Sequence, residues 1–521
     1  MSAESPINPI IPGFAPDPSL VLVDDTYFLV NSTFHLFPGL PIYTSRDLVH
    51  WHQIGNAINR SSQLSFSKAS TLIHGIGNND HLYATGGLYA PTLRHHNGTF
   101  YIVCTNVVNH GKEYGKESET QNFIISSTDI YANKWSDPVY FDFDGIDPSL
   151  FFDPHSGKAY LCGSKSPGPE TKITLFEIDV ATGKKLSDEK QLWHGTGGIY
   201  PEGPHIYLRN DFYYLMIAEG GTHEGHAVTM ARSKSLDGPW EPSPLNPILS
   251  AAGTNEYVQC TGHCEAFEAK DGQWWGVCLG IRMREKELYG LGRETFLTKA
   301  SWTSDGWLKF DRASMLLQHA SLPPVDATKK LTAAPHADFL YIHDPVLENY
   351  KIASDAVTLT ASPHDLASAN ASPSFVGKRQ RRMQGTSTAT LLVPPSASTK
   401  LTAGIAVYKD EHRFLSLSYT ASPTTPALTL HVVNTAKGIN RSQTSPLERP
   451  PTSIEFTISY SETRYQVFYQ TAGAVQGQRT QVGPVDALEI SGKDFVGPVV
   501  GLFAVGEHVE VAFESFDVHG A

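Results

Sequence analysis

Through residue 310 the chain alternates short apolar runs with polar turns, and the three-and-four spacing of a helix is nearly absent. Five stretches share one pattern. DPSLVLVDDTYFLVNS begins at Asp17, APTLRHHNGTFYIVCT at Ala90, DPSLFFDPHSGKAYLCGS at Asp147, GPHIYLRNDFYYLMIAEG at Gly203 and HCEAFEAKDGQWWGVCLG at His263. Each reads as a small or polar residue, an apolar strand, a polar turn and a second, aromatic-rich strand. The first residues lie 73, 57, 56 and 60 positions apart. Self-similarity at about this period predicts a β-propeller, with each copy starting one sheet around a central channel. Five copies predict five blades.

Outer strands are legible between the copies. PIYTSRDLVHWHQI, FIISSTDIYANKWSDPVYF, ITLFEIDVATGKKLSD and AVTMARSKSLDGPWEPS read as strand-turn-strand units, with Trp51, Trp135 and Trp240 at comparable places. The catalytic-size unit is therefore expected over residues 1–322. Pro323, Pro324 and the small residues up to Pro335 read as a linker, 323–336. Beyond it, over 337–521, alternating runs rich in Ser, Thr and Val (LTAGIAVYKD, HRFLSLSYT, SIEFTISY, RYQVFYQ) predict an antiparallel β-sandwich. The expected class is all-β throughout. The basic cluster KRQRRMQ, from Lys378, is read as a solvated turn or an interdomain contact.

Composition narrows the function. A formal net charge of −13 disfavours a nucleic acid or an anionic membrane as partner. The 22 Tyr, 25 Phe and 8 Trp suit stacking on sugar rings, but equally a β-rich core. Three of the five cysteines sit in apolar strands, so buried free thiols are expected, and Cys260 with Cys264 lacks the second pair that a zinc site needs. No apolar run approaches the ~18–20 residues of a spanning helix, and MSAESPINPI has no signal-peptide character. An intracellular protein is expected, with a trimmed secreted one as the alternative.

In register, the repeats gather chemistry. Asp17, Asp147 and His263 occupy one position, and Glu202 stands one residue ahead of the fourth copy. In a propeller these positions ring one mouth of the channel. Taken singly, an Asp before Pro is commonly a turn former and a lone His is commonly a core residue. Three carboxylates in one cleft are different, because like charges push their pKa values apart. A separated acid and base suit hydrolysis of a glycosidic bond. One histidine with three spread carboxylates is a poor transition-metal set.

The run NPIIPGFAPDPSLVLVDDTYFLVNSTFHLFPGLPIYTSRDLVHW, followed in order by GGLYAPTLRHHNGTFYIV, GIDPSLFFD, YPEGPHIY, AEGGT, TGHCEAF and LGRETFL, resembles glycoside hydrolase family 43, in its β-xylosidase and α-L-arabinofuranosidase branch. SFVGKRQRRMQGTSTATL is similar to the C-terminal concanavalin-like jelly roll of that branch. The resemblance implies a five-bladed propeller and hydrolysis with inversion. It implies Asp17 as general base, Glu202 as general acid and Asp147 as the third acid that orients Glu202 and raises its pKa. Base and acid would then stand roughly 6.5–9.5 Å apart. Arg293 matches the arginine that contacts the sugar, Phe34 matches an aromatic of the terminal-sugar subsite, and Tyr89 stands where close relatives carry Trp, a change that sugar stacking is expected to survive. His263 matches a channel histidine that in several relatives helps hold water or a structural calcium; no cofactor is required for the chemistry. His35 and the HCEAF run depart from the branch and are expected to tune the subsite for the leaving sugar.

The favoured function is an exo-acting enzyme releasing xylose or arabinofuranose from xylo-oligosaccharides or arabinoxylan fragments. A dedicated arabinoxylan-debranching arabinofuranosidase is the alternative. A non-catalytic sugar-binding propeller is disfavoured, because it has no need of Asp17, Asp147, Glu202 and Arg293 together. The sequence leaves the oligomeric state open.

Overall fold

A computed structural model describes residues 6–78, 80–111, 118–165, 170–394, 401–422, 424–473 and 479–520. Among them there is no α-helix, only strands and three single 3-10 turns. No helix is long and apolar enough to cross a membrane. Each repeat opens one of five antiparallel sheets. Their first strands are Ser19–Val23, Gly87–His96, Gly145–Phe152, Glu202–Arg209 and Val258–Glu268, and each is the edge strand of its sheet. These five strands touch one another in order, and the last touches the first. The ring closes, giving a β-propeller. The N-terminal segment locks the closure: Ile10 N–H donates to Thr295 O at 2.9 Å and the Asn8 amide to Leu297 O at 2.8 Å, both in the fifth sheet.

The shared repeat position has one backbone geometry. Asp17, Ala90, Asp147, Gly203 and His263 all have positive φ, from 34° to 55°. The last four sit in register breaks between Tyr89 and Thr92, Ile146 and Ser149, Glu202 and His205, and Gly262 and Glu265. A bulge twists the strand and re-aims one side chain out of the alternation. Four of the five inner strands are therefore bent at the same point.

Two residues further along, each strand buries a polar side chain in the channel: Ser19, Thr92, Ser149, His205 and Glu265. Arg94 spans them. Its guanidinium pairs with Glu265 at 2.5 Å, reaches His205 Nδ1 at 3.2 Å and donates to Leu150 O at 3.0 Å. Ser19 donates to Glu265, and the Ser149 hydroxyl lies 3.1 Å from His205 Nδ1. Buried polar groups need such partners. The network plugs the channel beneath its mouth.

The C-terminal part is a sandwich of an eight-stranded and a six-stranded sheet. The segment read as linker carries a strand of its own: Leu331–Ala333 pairs in parallel with Trp51–Gln53 and extends the first sheet. The open edge of that sheet offers unpaired backbone groups, which explains why a Pro-flanked segment is drawn into a ladder. A second junction is a three-stranded sheet shared between the two parts, with Lys493–Asp494 against Asp80–Thr85, and that strand against Thr71–Gly77. The basic cluster is an interdomain contact. Arg379 is buried and donates to Phe14 O at 2.8 Å, while Arg381 donates to Pro12 O at 2.9 Å. All five cysteines are buried and unbonded.

Candidate active site

Over the channel mouth lies a cavity of about 580 Å³, and Asp17, Phe34, Tyr89, Asp147, Glu202, His263 and Arg293 all line it. The structure thus brings these seven candidates together. Four inner strands present Asp147, Glu202, His263 and, just ahead of its strand, Asp17. Bulges lie at Asp147 and His263 and directly after Glu202.

Asp17 is 4% exposed. It accepts from Ser32 Oγ at 2.6 Å and from Arg293 Nη1 at 3.1 Å, and His263 Nδ1 stands 3.7 Å away. Ser32 is itself fixed by the Ala90 N–H at 2.7 Å. Burial pushes the Asp17 carboxyl up, but Arg293, His263 and the Ser32 hydroxyl outweigh it and hold the group below the usual carboxylate range. Asp147 accepts from the Gly203 N–H at 3.0 Å, with His263 Nδ1 at 4.0 Å. Burial, against the pull of His263 and with the push of Asp17, raises it to about 6. Glu202 is half-buried. Burial first, then the charges of Asp147 and Asp17, lift its carboxyl well above the ordinary range. One cleft therefore holds a carboxyl pushed down and another pushed well up, which is the separation that acid–base catalysis needs.

Arg293 is a junction. It is 4% exposed, and besides Asp17 it donates to Thr222 Oγ1 at 3.1 Å and to the carbonyl of Phe495 at 2.9 Å. Its guanidinium carbon lies 5.3 Å from the Phe34 ring centre and 5.4 Å from that of Phe495. Phe34 stacks near Phe495 at 5.8 Å and packs on Tyr89 at 4.7 Å. These rings form an apolar wall beside the charges. Phe495 belongs to the sandwich, so the second domain completes the cavity.

Phe495, Thr222, Ser32 and Lys493 were not anticipated from the sequence. Nothing in FVGPVV marks Phe495, because its partners are more than 200 positions away. Ser32 carried a weak signal: it follows a strand in register with the one that Asp17 introduces. One expectation is corrected. His35 is fully buried against His343 and Tyr408, and Cys264, Glu265 and Ala266 point into core or channel; none lines the cavity. A bulge makes only His263 of that run face the mouth. His263, which the resemblance offered to a water or a calcium, has its Nδ1 3.7 Å from Asp17 and 4.0 Å from Asp147. Among the described residues no group of three His, Cys, Asp or Glu side chains is placed to hold a metal ion.

Carboxyls with opposed pKa shifts under an aromatic wall, at the mouth of a plugged propeller, suit a hydrolase of sugar linkages. Residues 6–308 match the family model described as Glycosyl hydrolases family 43, and residues 332–519 match that of the β-xylosidase C-terminal concanavalin A-like domain. The chain belongs to glycosyl hydrolase family 43. It is 33% identical over 514 residues to a non-reducing end α-L-arabinofuranosidase of Bacteroides ovatus, covering 96% of this chain and 91% of that protein. It is 33% identical over 437 residues to a xylosidase/arabinosidase of Butyrivibrio fibrisolvens, covering 79% of each. The crystal structure of a xylan β-1,4-xylosidase from Bacillus halodurans superposes with a TM-score of 0.84 at 28% identity, over 97% of this chain and 99% of the other.

Proposed function

We propose that this glycoside hydrolase releases single xylose and arabinofuranose units from the ends of xylan-derived oligosaccharides, with inversion at the anomeric carbon. The observation that carries the reading is the split between Asp17, held below the usual carboxylate range by Arg293, His263 and Ser32, and Glu202, lifted well above it by burial and by its acidic neighbours. The names of the similar proteins, xylosidase and arabinofuranosidase, support the sugar class.

In this mechanism Asp17 takes a proton from a water as the water oxygen bonds to the anomeric carbon. Glu202 gives its proton to the glycosidic oxygen as that bond breaks. The water enters on the face opposite the departing sugar, so the product's anomeric configuration is inverted. Glu202 leaves the cycle ionised and Asp17 protonated, and exchange with solvent resets both. Asp147 acts through charge: it keeps the proton on Glu202 until the leaving oxygen needs it. Arg293 and the Phe34, Tyr89 and Phe495 rings hold the terminal sugar, the first through hydroxyls and the others through its C–H face. A cavity backed by the sandwich suits a chain end better than the middle of a polymer.

The test is product release from 4-nitrophenyl β-D-xylopyranoside, 4-nitrophenyl α-L-arabinofuranoside, xylobiose and arabinoxylan by wild type and Glu202→Gln. Glu202→Gln is expected to lose roughly 10²–10⁴-fold on xylobiose and much less on the nitrophenyl substrates, whose leaving group needs no proton. Equal losses on both would remove Glu202 from the acid role. Proton NMR of the first-formed sugar reads the stereochemistry directly, and retained configuration would overturn inversion. A second reading is favoured by the name of the Bacteroides ovatus relative: a dedicated arabinofuranosidase. Arabinose freed from arabinoxylan with xylobiose untouched would select it.

A further inference from the structure

Three consecutive sandwich residues reach the cavity wall or lie behind it. Lys493 pairs with Asp80 at 2.8 Å and Glu224 at 3.1 Å, both on the propeller. Phe495 supplies a ring to the wall and a carbonyl to Arg293. Between them, Asp494 is fully buried and ion-paired to Lys409 at 2.6 Å and to Arg413. Arg413 also binds Asp410 and stacks on the Tyr83 ring at 3.8 Å. The backbone of Asp494 pairs with Tyr83 in the shared sheet. The peptide is thus gripped by its backbone and by its side chain.

Four buried charges are an uneconomical way to gain stability. Desolvation consumes most of the attraction, and apolar residues of similar volume commonly do as well. What such a cluster provides is a single geometry. Here that geometry is passed on: Asp494 is bonded to Phe495, whose carbonyl fixes Arg293, which in turn holds Asp17. We propose that the Lys409–Asp410–Arg413–Asp494 cluster of the sandwich is a positioning device for the catalytic base, acting through Phe495 and Arg293. This rests on the assignment of Asp17 as base.

The consequence is read in the pH profile rather than in amplitude alone. Asp17 faces Arg293 from the fifth sheet, His263 and His226 around it, Ser32, and the acids Asp147 and Glu202. If Arg293 drifts, burial and the two acids are opposed only by His263, His226 and Ser32, and Asp17 ionises at higher pH. The acid limb of kcat/KM then moves up.

The experiment measures kcat/KM from about pH 3 to 9 for 4-nitrophenyl β-D-xylopyranoside with the full chain, in wild type, Lys409→Met, Lys409→Arg and Asp494→Asn. Ile458→Val, in the sandwich core, serves as the destabilised control. Lys409→Met and Asp494→Asn are expected to shift the acid limb upward by about half a pH unit or more. Lys409→Arg is expected to return it towards wild type, and Ile458→Val to leave it in place. Folded cluster variants with an unmoved limb and only a lower plateau would overturn the proposal and leave a plain structural anchor. If Asp494→Asn does not fold, the two Lys409 variants decide alone. Asp17→Asn separates the two failures. Wild-type turnover in Asp17→Asn would sink the base assignment and the proposal with it. Lost turnover in Asp17→Asn with an unmoved limb in the cluster variants would sink the proposal only.

Discussion

At the scale of single residues, Asp17, Asp147 and Glu202 carry the same functional group and differ only in what surrounds them. Asp17 has a guanidinium and a hydroxyl, Asp147 one backbone N–H, and Glu202 two acidic neighbours. The kcat/KM profile is therefore expected to be a bell, rising as Asp17 ionises and falling as the Asp147–Glu202 pair gives up its proton. The alkaline limb belongs to the pair rather than to one residue. Asp147→Asn removes a negative charge beside Glu202, so that limb should move to lower pH; an unmoved limb would mean the acids do not communicate. Stability carries the opposite sign from an ordinary surface carboxylate. Asp147 goes from 3.8 to about 6 on folding, so its contribution is fully present below 3.8 and is lost as pH rises through about 6. Thermal melts should accordingly show Asp147→Asn gaining on wild type above pH 6 and not near pH 4.

At the scale of elements, the inner strands are the working parts and their bulges do the aiming. Gly203 shows why the fourth bulge takes glycine: its φ is +55°, and an added Cβ would stand 3.0 Å from the His263 ring. Its N–H is also the donor to Asp147. Gly203→Ala is expected to cost roughly 1–3 kcal/mol in denaturant unfolding and to lower kcat by displacing His263 and Asp147. A variant with wild-type stability and kcat would show that the bulge tolerates a side chain. The repeat register was legible because strand, turn and strand recur with the same polarity. The bulge was not, since alternation in the sequence looks alike whether or not one residue is left out of the ladder. That is why Cys264 and Glu265 looked like cavity residues beside His263 and turned out to face core and channel.

At the scale of the molecule, propeller and sandwich share a sheet, a strand pairing at Leu331–Ala333 and the Arg379 and Arg381 contacts. Calorimetry is expected to record one unfolding transition; two resolved transitions would show independent domains. Phe495→Ala should cost about 10–100-fold in kcat/KM from lost ring contact and, because the ring is buried against Phe34 and Tyr89, should also lower the melting temperature. By itself the sequence determined what is local or repeated. Strand alternation, five copies of one motif and the acids at a shared repeat position follow from patterns a few residues long, and closure of a ring brings Asp17, Asp147, Glu202 and His263 together. Only the tertiary structure decided what depends on contacts without a sequence period. Phe495 reaches Arg293 across about 200 positions, the linker strand joins an open edge, and Arg94 ties Glu265 and His205 together beneath the mouth. The physical reason is that a hydrogen bond or an ion pair is indifferent to chain separation, whereas pattern in a sequence records only neighbours and repeats.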